Sequence, residues 1–215
     1  DNYDVVVEFS RPYRDRQIQT AALQSAGVTA VEAWGSGSAV RLRPDGSESA
    51  GIRVRAPHAD TQMIQPNLLA GRWLTPEDQS AVVLNSNVLA DEPDLAVGDA
   101  IRLRLSNREA DWTVVGIAQS ILTQPTIYVN YPYFAQQTGA FGRANSARVA
   151  TEQHSPAAQA AAAEILQANL EQAGFQVAKI ETKFQRQEAV RLQFDILITF
   201  LLLMALLIAT VGGMG

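Results

Sequence analysis

The sequence predicts an α+β fold, because a strand–helix–strand pattern occurs near each end of the chain and short strands fill the region between. A third observation is the apolar stretch Ile196–Gly215, which contains no charged residue and no proline. The simplest assembly is one α+β layer built from both ends of the chain, with a β-rich unit inserted within it and a long helix after it.

The first strand–helix–strand pattern lies near the N-terminus. Val5–Phe9 is rich in β-branched residues, and Ser10–Pro12 predicts a break after it. Apolar residues at helical spacing predict a helix over Arg14–Ala26, with Gly27 as its C-cap. Val28–Trp34 then predicts a second strand.

The segment Gly35–Ser38 contains two glycines but does not fit a phosphate-binding loop. No lysine follows it, and the next residues, Ala39–Arg43, alternate as a strand does. We therefore expect a hairpin or a bulge at Gly35–Ser38.

Residues 63–145 form the predicted β-rich insert. Short strands are expected at Ala81–Leu84, Ala100–Leu105, Trp112–Ala118 and Thr126–Asn130, separated by Gly, Asp and Asn clusters. One or two helical turns are expected between Tyr131 and Thr138.

The opening pattern then returns. Ala147–Ala150 predicts a strand, and Ser155-Pro156 predicts a helix start, because serine is a favoured N-cap and proline suits the first helical position. This helix is expected to end at Gln172 or Ala173, before Gly174, and Phe175–Ile180 predicts a further strand.

The last part of the chain predicts a stalk helix over residues 182–195 that leads into a membrane helix over 196–215. A helix of the latter length spans roughly 30 Å, which is about the thickness of the bilayer's hydrocarbon core. Residues 1–20 carry too many charges for a signal peptide. Two expectations therefore remain open: a cytoplasmic chain, or an extracytoplasmic one preceded by another membrane helix.

Composition narrows the function classes. The chain has 17 Lys and Arg against 22 Asp and Glu, a formal net charge of −5. This balance argues against a face that binds nucleic acid or anionic lipid, because such faces need clustered cations. The absence of cysteine excludes disulfides, thiolate catalysis and Cys-ligated zinc.

Few residues suggest chemistry, and we predict no catalytic, cofactor-binding or metal-binding residues. His58 with Asp60 is the only His–carboxylate spacing of interest, and a polar surface loop is the better interpretation. Solvated loops also explain the acidic residues Glu77, Asp78, Asp91, Glu92 and Asp94, which lack an EF-hand ligand pattern. The sequence has no P-loop, no GxGxxG and no serine-nucleophile motif.

The aromatic residues leave one alternative open. A cleft between two lobes could use them as a ligand cage, although core and interface positions are the more common role of such residues. They are Trp34, Trp73, Trp112, Tyr128, Tyr131, Tyr133 and Phe134.

Three ordered motifs resemble the extracytoplasmic domain of FtsX-like, MacB-type ABC transporter permeases. Leu69–Leu74 (LAGRWL), with Pro76-Glu77-Asp78 and the strand that follows, is similar to the family's "aGR.lt..d...vvl" stretch. Val97–Ile101 is similar to its "vGd.i.l" step, and Trp112–Ile117 to its "f.VVGi" strand. Leu206–Gly215 is similar to the glycine-containing stretch of the family's second membrane helix.

This resemblance implies a domain division and a function. A porter-like split βαβ subdomain would comprise residues 1–62 and 146–181, and the inserted subdomain residues 63–145. The domain would be non-catalytic, would lie outside the bacterial inner membrane with residues 1–195, and would couple cytoplasmic ATP hydrolysis to the handling of a substrate or partner (mechanotransmission). The implied partners are a cytoplasmic ABC ATPase, a second permease copy and an extracytoplasmic protein. The alternative is a membrane-anchored sensor or ligand-binding module.

Overall fold

The computed structural model describes residues 2–119 and 124–212, except for the side chains of helix residues 189–197, 206–207 and 209–212. The elements of this described part follow one another as β1 Val5–Arg14, α1 Asp15–Leu23, β2 Val28–Leu42, β3 Ile52–Ala56, β4 Leu68–Gly71, β5 Ala81–Asn85, α2 Ser86–Asp91, β6 Ala100–Leu105, β7 Arg108–Ala118, β8 Thr126–Val129, α3 Tyr131–Thr138, β9 Arg143–Thr151, α4 Pro156–Gln172, β10 Val177–Thr182 and α5 Lys183–Gly212.

Strands from both ends of the chain form the first part of the sheet, in the order β10-β1-β9-β2. All three of these pairings are antiparallel. Helix α1 connects β1 to β2, and helix α4 connects β9 to β10. This is the split βαβ arrangement that the sequence predicts, and the α+β fold class is confirmed.

The second part of the sheet continues from the C-terminal half of β2 in the order β3-β8-β5-β7-β4, and β6 pairs with both β2 and β7. Strand β2 joins the two parts, because Val28–Trp34 pairs with β9 whereas Gly35–Ala39 pairs with β3. The predicted division between residues 62 and 63 stays a proposal. Strand β3 precedes this division in the chain, but it pairs with β8 in the second part of the sheet.

One hydrophobic core runs through both parts. Helices α1 and α4 bury Ile18, Leu166 and Leu170 against one face of the first part of the sheet, and the same cluster continues through Leu84 and Trp112 in the second part. Burial of aliphatic side chains stabilises a fold by about 1.5–3 kcal/mol each. This shared core fixes α1 and α4 on one face of the sheet.

The opposite face of the first part of the sheet carries a smaller buried cluster. Tyr3, Val6 and Trp34 pack there with Met63 and Ile64 from the segment that follows β3. The backbone N–H of Asn2 donates to the carbonyl of Met63 at 2.8 Å, which ties this segment to the N-terminus.

Two expectations about breaks are wrong. Strand β1 continues through Pro12 to Arg14, because its register with β9 shifts between Glu8 and Tyr13 and so accommodates a residue without an N–H group. Residues Gly35–Ser38 lie inside the continuous strand β2 and form no hairpin. Glycine at position 35 instead allows the ring of Phe134 on α3 to lie close to the backbone of β2, because a Cβ atom there would be 2.5 Å from that ring.

The predicted end of α1 is wrong, because this helix ends at Leu23 with Gln24 as its C-cap, three residues before the predicted cap Gly27. The predicted start of α4 and end of α3 are confirmed. Ser155 caps α4, and its hydroxyl accepts from the N–H of Ala158. Gly139 ends α3 in the left-handed conformation with φ of 70°, as expected for a glycine after the last helical turn.

Helix α5 follows β10 directly and runs over Lys183–Gly212. Among the described residues, no helix is long and apolar enough to span a membrane. Of the predicted membrane segment 196–215, residues 213–215 and the side chains of 196–197, 206–207 and 209–212 lie outside the described residues, and the stalk role of 182–195 stays a prediction.

Candidate functional site

The base of α5 is the point where the helix joins the sheet. Thr182 and Gln185 form a capping box: the N–H of Gln185 donates to the Thr182 hydroxyl at 3.1 Å, and the Gln185 side-chain oxygen accepts from the N–H of Thr182 at 2.9 Å. The sequence T-x-x-Q at 182–185 carries this signal, although the sequence analysis did not use it. The capping box explains why β10 turns into α5 without a loop.

A buried carboxylate lies beside this junction. Asp4 is 4% exposed and accepts hydrogen bonds from the N–H and the hydroxyl of Thr151, from Nε2 of Gln159 and from Nδ1 of His154, all at 2.9–3.0 Å. Several donors are what a buried carboxylate requires in order to offset the loss of hydration. Asp4 therefore binds the end of β9 to the first turn of α4.

The first turn of α5 connects to Asp4 in two ways, one through its backbone and one through its side chain. The N–H of Lys183 donates to the backbone carbonyl of Asp4 at 2.6 Å. The N–H of Phe184 donates to the side-chain oxygen of Gln159 at 3.4 Å, and Gln159 in turn donates to Asp4. A polar cavity of about 440 Å³ opens at this point, lined by Asn2, Asp4, His154, Gln159, Lys183, Phe184 and Gln187.

On the other side of the N-terminal segment, α5 contacts an aromatic and arginine cluster. Nη1 of Arg186 donates to the Tyr3 hydroxyl at 3.2 Å, and its guanidinium lies 5.0 Å from the centre of the Tyr3 ring. The guanidinium of Arg148 on β9 lies 4.6 Å from the Trp34 ring and 5.5 Å from the Tyr3 ring. Cation–π contacts of this kind stabilise by about 0.5–2 kcal/mol.

The pKa values of this cluster reflect its burial and its charge. Burial lowers the pKa of Arg148 to about 10, and the charges of Arg55 and Arg186 act in the same direction. Burial raises the pKa of Tyr3, but the positive charges of Arg148, Arg55 and Arg186 outweigh it, so the pKa of Tyr3 lies below its ordinary value.

Three of the five acidic residues considered as cation ligands, Asp78, Glu92 and Asp94, are bound by arginines, and Glu92 is buried rather than in a solvated loop as predicted. Asp78 pairs with Arg72, and Glu92 pairs with Arg41 and Arg43. In the part of the chain that the structure describes, no group of three or more His, Asp or Glu side chains is placed to hold a metal ion. His58 stacks on Tyr131 with 4.7 Å between ring centres and forms no ion pair with Asp60.

The seven aromatic residues of the possible ligand cage are divided between two hydrophobic clusters. Trp34 packs near Tyr3, and Trp73 and Tyr128, 5.2 Å apart between ring centres, pack against the same cluster. The other four lie in or pack against the main core, where Trp112 contacts Tyr133 at 5.0 Å between ring centres. This division favours packing over ligand binding.

The motif Gly71-Arg72 forms a tight clasp between β4 and β7. Gly71 has φ of 70°, and a Cβ atom there would lie 2.2 Å from the carbonyl oxygen of Val115. Arg72 then binds Asp78 through both Nη atoms at 2.7 and 2.8 Å, and Asp78 accepts from the N–H of Thr75. Because Arg72 donates a hydrogen bond, it holds the pKa of Asp78 below its ordinary value.

Residues 2–168 match the family model described as the MacB-like periplasmic core domain. The chain belongs to this family. The members of the MacB-like periplasmic core domain family are extracytoplasmic domains of ABC transporter permeases, so the resemblance carried by the Gly71-Arg72 motif is confirmed.

Two solved structures share the fold of this family member. The periplasmic region of MacB from Actinobacillus actinomycetemcomitans aligns with a TM-score of 0.58 and 14% identity, over 88% of this chain and 92% of that one. The extracellular domain of the noncanonic ABC-type transporter YknZ from Gram-positive bacteria aligns with a TM-score of 0.55 and 14% identity, over 82% of this chain and 99% of that one. No curated protein sequence matches the chain.

Within this family fold, the clasp at Gly71 and Arg72 has a structural explanation. Its glycine is required by backbone proximity, and its arginine closes the turn to Asp78. The two residues of the motif therefore hold β4 close to β7 and close the turn to Asp78.

Proposed function

We propose that this domain is a non-catalytic part of an ABC permease that transmits movement between helix α5 and the extracytoplasmic sheet. Residues 1–195 would lie outside the cell membrane. A cytoplasmic ABC ATPase and a second permease copy would be its partners, and ATP hydrolysis would be coupled to the handling of a substrate or partner protein outside.

The observation that carries this proposal is the two-sided attachment of α5. On one side, Lys183 and Phe184 bond to Asp4 and Gln159, which hold the end of β9 and the start of α4. On the other side, Arg186 contacts Tyr3. A helix that is held on two sides cannot rotate or shift without moving the strands to which it is bonded.

The proposal that the domain is non-catalytic rests on the chemistry of the same region. The histidine and the carboxylate at the α5 junction, His154 and Asp4, are joined to each other, and Asp4 is occupied by three further donors. The alternative of a ligand-binding module has less support, because the aromatic residues that it would use are divided between two hydrophobic clusters.

The substitution Glu188→Pro in the full-length transporter tests whether α5 transmits movement. Glu188 is exposed in the second turn of α5, and proline there removes a helical hydrogen bond and clashes with the preceding turn, at about 3 kcal/mol or more. We expect ATP hydrolysis to continue while the extracytoplasmic output is lost. Expression level and membrane insertion are measured alongside both activities.

The matched control is Glu188→Ala, which keeps the helix and removes only a solvated charge worth at most about 1 kcal/mol. It should leave the output unchanged. Full output from a well-expressed Glu188→Pro variant would mean that α5 is only a tether, and the coupling proposal would then be wrong.

A further inference from the structure

Two arginines from distant parts of the chain contact Tyr3. Arg148 lies on β9 in the first part of the sheet, and Arg186 lies near the start of α5. Arg148 is only 3% exposed, whereas Arg186 is partly exposed. The positive charge of a third arginine, Arg55 on β3, also lowers the pKa of Tyr3 and of Arg148.

Neither arginine forms an ion pair among the described residues, and the negative charge of Glu8 on β1 acts on Arg148 only from beyond ion-pair distance. The ion pairs there involve other cations: Arg41, Arg43, Arg72, Arg102, Arg104, His154 and Lys179. Glu32 lies opposite Arg148 on β2, but its carboxylate accepts instead from Nε1 of Trp34, the hydroxyl of Thr61 and the N–H of Gln62.

Several guanidinium N–H groups in the cluster are buried without any hydrogen-bond acceptor. They are Nε of Arg148 and both Nε and Nη2 of Arg186. Native proteins pair the large majority of buried polar atoms, so three unpaired donors on two neighbouring cations are unusual. Charged donors make the strongest hydrogen bonds, and leaving them unpaired is correspondingly costly.

The aromatic rings do not remove this deficit. Trp34 and Tyr3 lie 4.6 and 5.5 Å from the Arg148 guanidinium and attract its positive charge. The N–H bonds of a guanidinium lie in its own plane, however, and require an acceptor in that plane. A ring contact therefore leaves those donors without an acceptor.

We propose that Arg148 and Arg186 form a binding site for a compact oxyanion, either a phosphate group or a carboxylate group. Guanidinium groups bind both chemistries through paired N–H donors. Arg148 would form the floor of the site and Arg186 its rim. A bound anion would join β9 and α5. The proposal does not depend on the coupling role of α5, because it concerns binding alone.

Isothermal titration calorimetry of the intact protein tests the site directly. Inorganic phosphate is the probe in one experiment and acetate in the other, both added in millimolar amounts to a chloride buffer of constant ionic strength. We expect saturable binding to one site per chain. Tighter phosphate binding would assign a phosphate group as the ligand, and tighter acetate binding would assign a carboxylate.

Two variants and one control connect the binding to the cluster. Arg148→Met and Arg186→Gln should each raise the dissociation constant about tenfold to a hundredfold, as expected for the loss of a charged hydrogen-bond donor. Arg102→Gln should leave it unchanged, because Arg102 is exposed and pairs with Asp111 on the second part of the sheet. Saturable binding of neither anion, or unchanged binding by both cluster variants, would overturn the proposal.

Thermal unfolding in chloride distinguishes an anion site from a structural role of Arg148. If its charge is uncompensated without the anion, Arg148→Met should unfold at or above the wild-type temperature, and only the wild type should gain stability from the anion. If the variant unfolds at a lower temperature and the wild type gains no stability from either anion, Arg148 would be structural and the proposal would be wrong. Arg186→Gln keeps the test valid if Arg148→Met does not fold, because Arg186 is only partly buried.

Discussion

Arg41 and Arg148 are both buried, at 6% and 3% exposure, yet their surroundings are opposite. Arg41 lies at the end of β2 and binds Glu92 and Asp94, and because Asp94 and Glu92 accept its hydrogen bonds its pKa lies above its ordinary value. Arg148 has two aromatic rings and other arginines near it, and burial lowers its pKa.

The difference between the two arginines separates a structural cluster from a candidate binding site. The cost of burying Arg41 is offset inside the molecule, because Glu92 is itself 2% exposed and accepts from both Arg41 and Arg43. The cost of burying Arg148 is offset only in part, by cation–π contacts, by a hydrogen bond from its Nη1 to the carbonyl of Ala147 and by the more distant charge of Glu8. A buried charge without a counterion is more informative about function than a paired one.

The largest effect is expected from breaking the paired cluster. Glu92→Ala would leave Arg41 buried without its most buried partner, and loss of one member of a buried ion pair costs about 3–5 kcal/mol. Urea unfolding measures this loss. Asp111→Ala is the matched control: it breaks an exposed pair with Arg102 and should cost no more than about 1 kcal/mol. Equal losses in the two variants would mean that burial does not distinguish the pairs.

Protonation of Glu92 at low pH is expected to destabilise the protein less than Glu92→Ala does, because a protonated carboxyl group can still accept a hydrogen bond. Arg43 and Arg41 hold the pKa of Glu92 below its ordinary value of 4.5, so the folded state binds this proton less readily than the unfolded state does. The resulting stabilisation is present above that value and is lost as the pH falls through the folded pKa.

The free energy of unfolding, followed from about pH 7 to about pH 3, should therefore fall more steeply for the wild type than for Glu92→Ala. Carboxylates outside this cluster titrate equally in both proteins, so the difference between the two curves isolates the cluster of Glu92, Asp94 and their arginines. Parallel curves would show that the arginines do not depress the pKa of Glu92.

The smallest effect is expected at the unpaired cluster. Tyr3→Phe removes the acceptor of the only side-chain hydrogen bond that Arg186 makes within the described residues. The expected loss of stability is about 0.5–1.5 kcal/mol. Tyr133→Phe is the control, because Tyr133 packs edge-on against Trp112 and the ring contact survives the change. A loss as large as that of Glu92→Ala would show that the cluster is structural after all.

Local sequence patterns predicted helix boundaries correctly where the interactions that form them lie within one helical turn. The helix that begins after Ser155 and the left-handed glycine after α3 depend on contacts within one turn, and both are as predicted. The break at Ser10–Pro12 and the hairpin at Gly35–Ser38 were wrong, because neighbouring strands and Phe134 on α3 keep those residues extended.

The candidate sites were much less accessible to sequence reasoning. The sequence analysis named Asp91, Glu92 and Asp94 as one acidic cluster, but it had no means of showing that two of them bind arginines about fifty positions away. The capping box at Thr182 and Gln185 was a readable local signal for the start of α5. The contact between Tyr3 and Arg186 joins residues from opposite ends of the chain, and no local pattern reports it.

By itself, the sequence determined the α+β class, the start of α4, the end of α3 and the family motif, because strand alternation, helix capping and glycine requirements act over a few residues. Only the tertiary structure decided which charges meet. Arg41 and Arg148 stand in similar alternating strands of the sequence, and the strand order placed one of them beside two carboxylates and the other beside two rings and two more arginines. Electrostatic energy depends on distances and burial, which the order of residues along a chain does not specify.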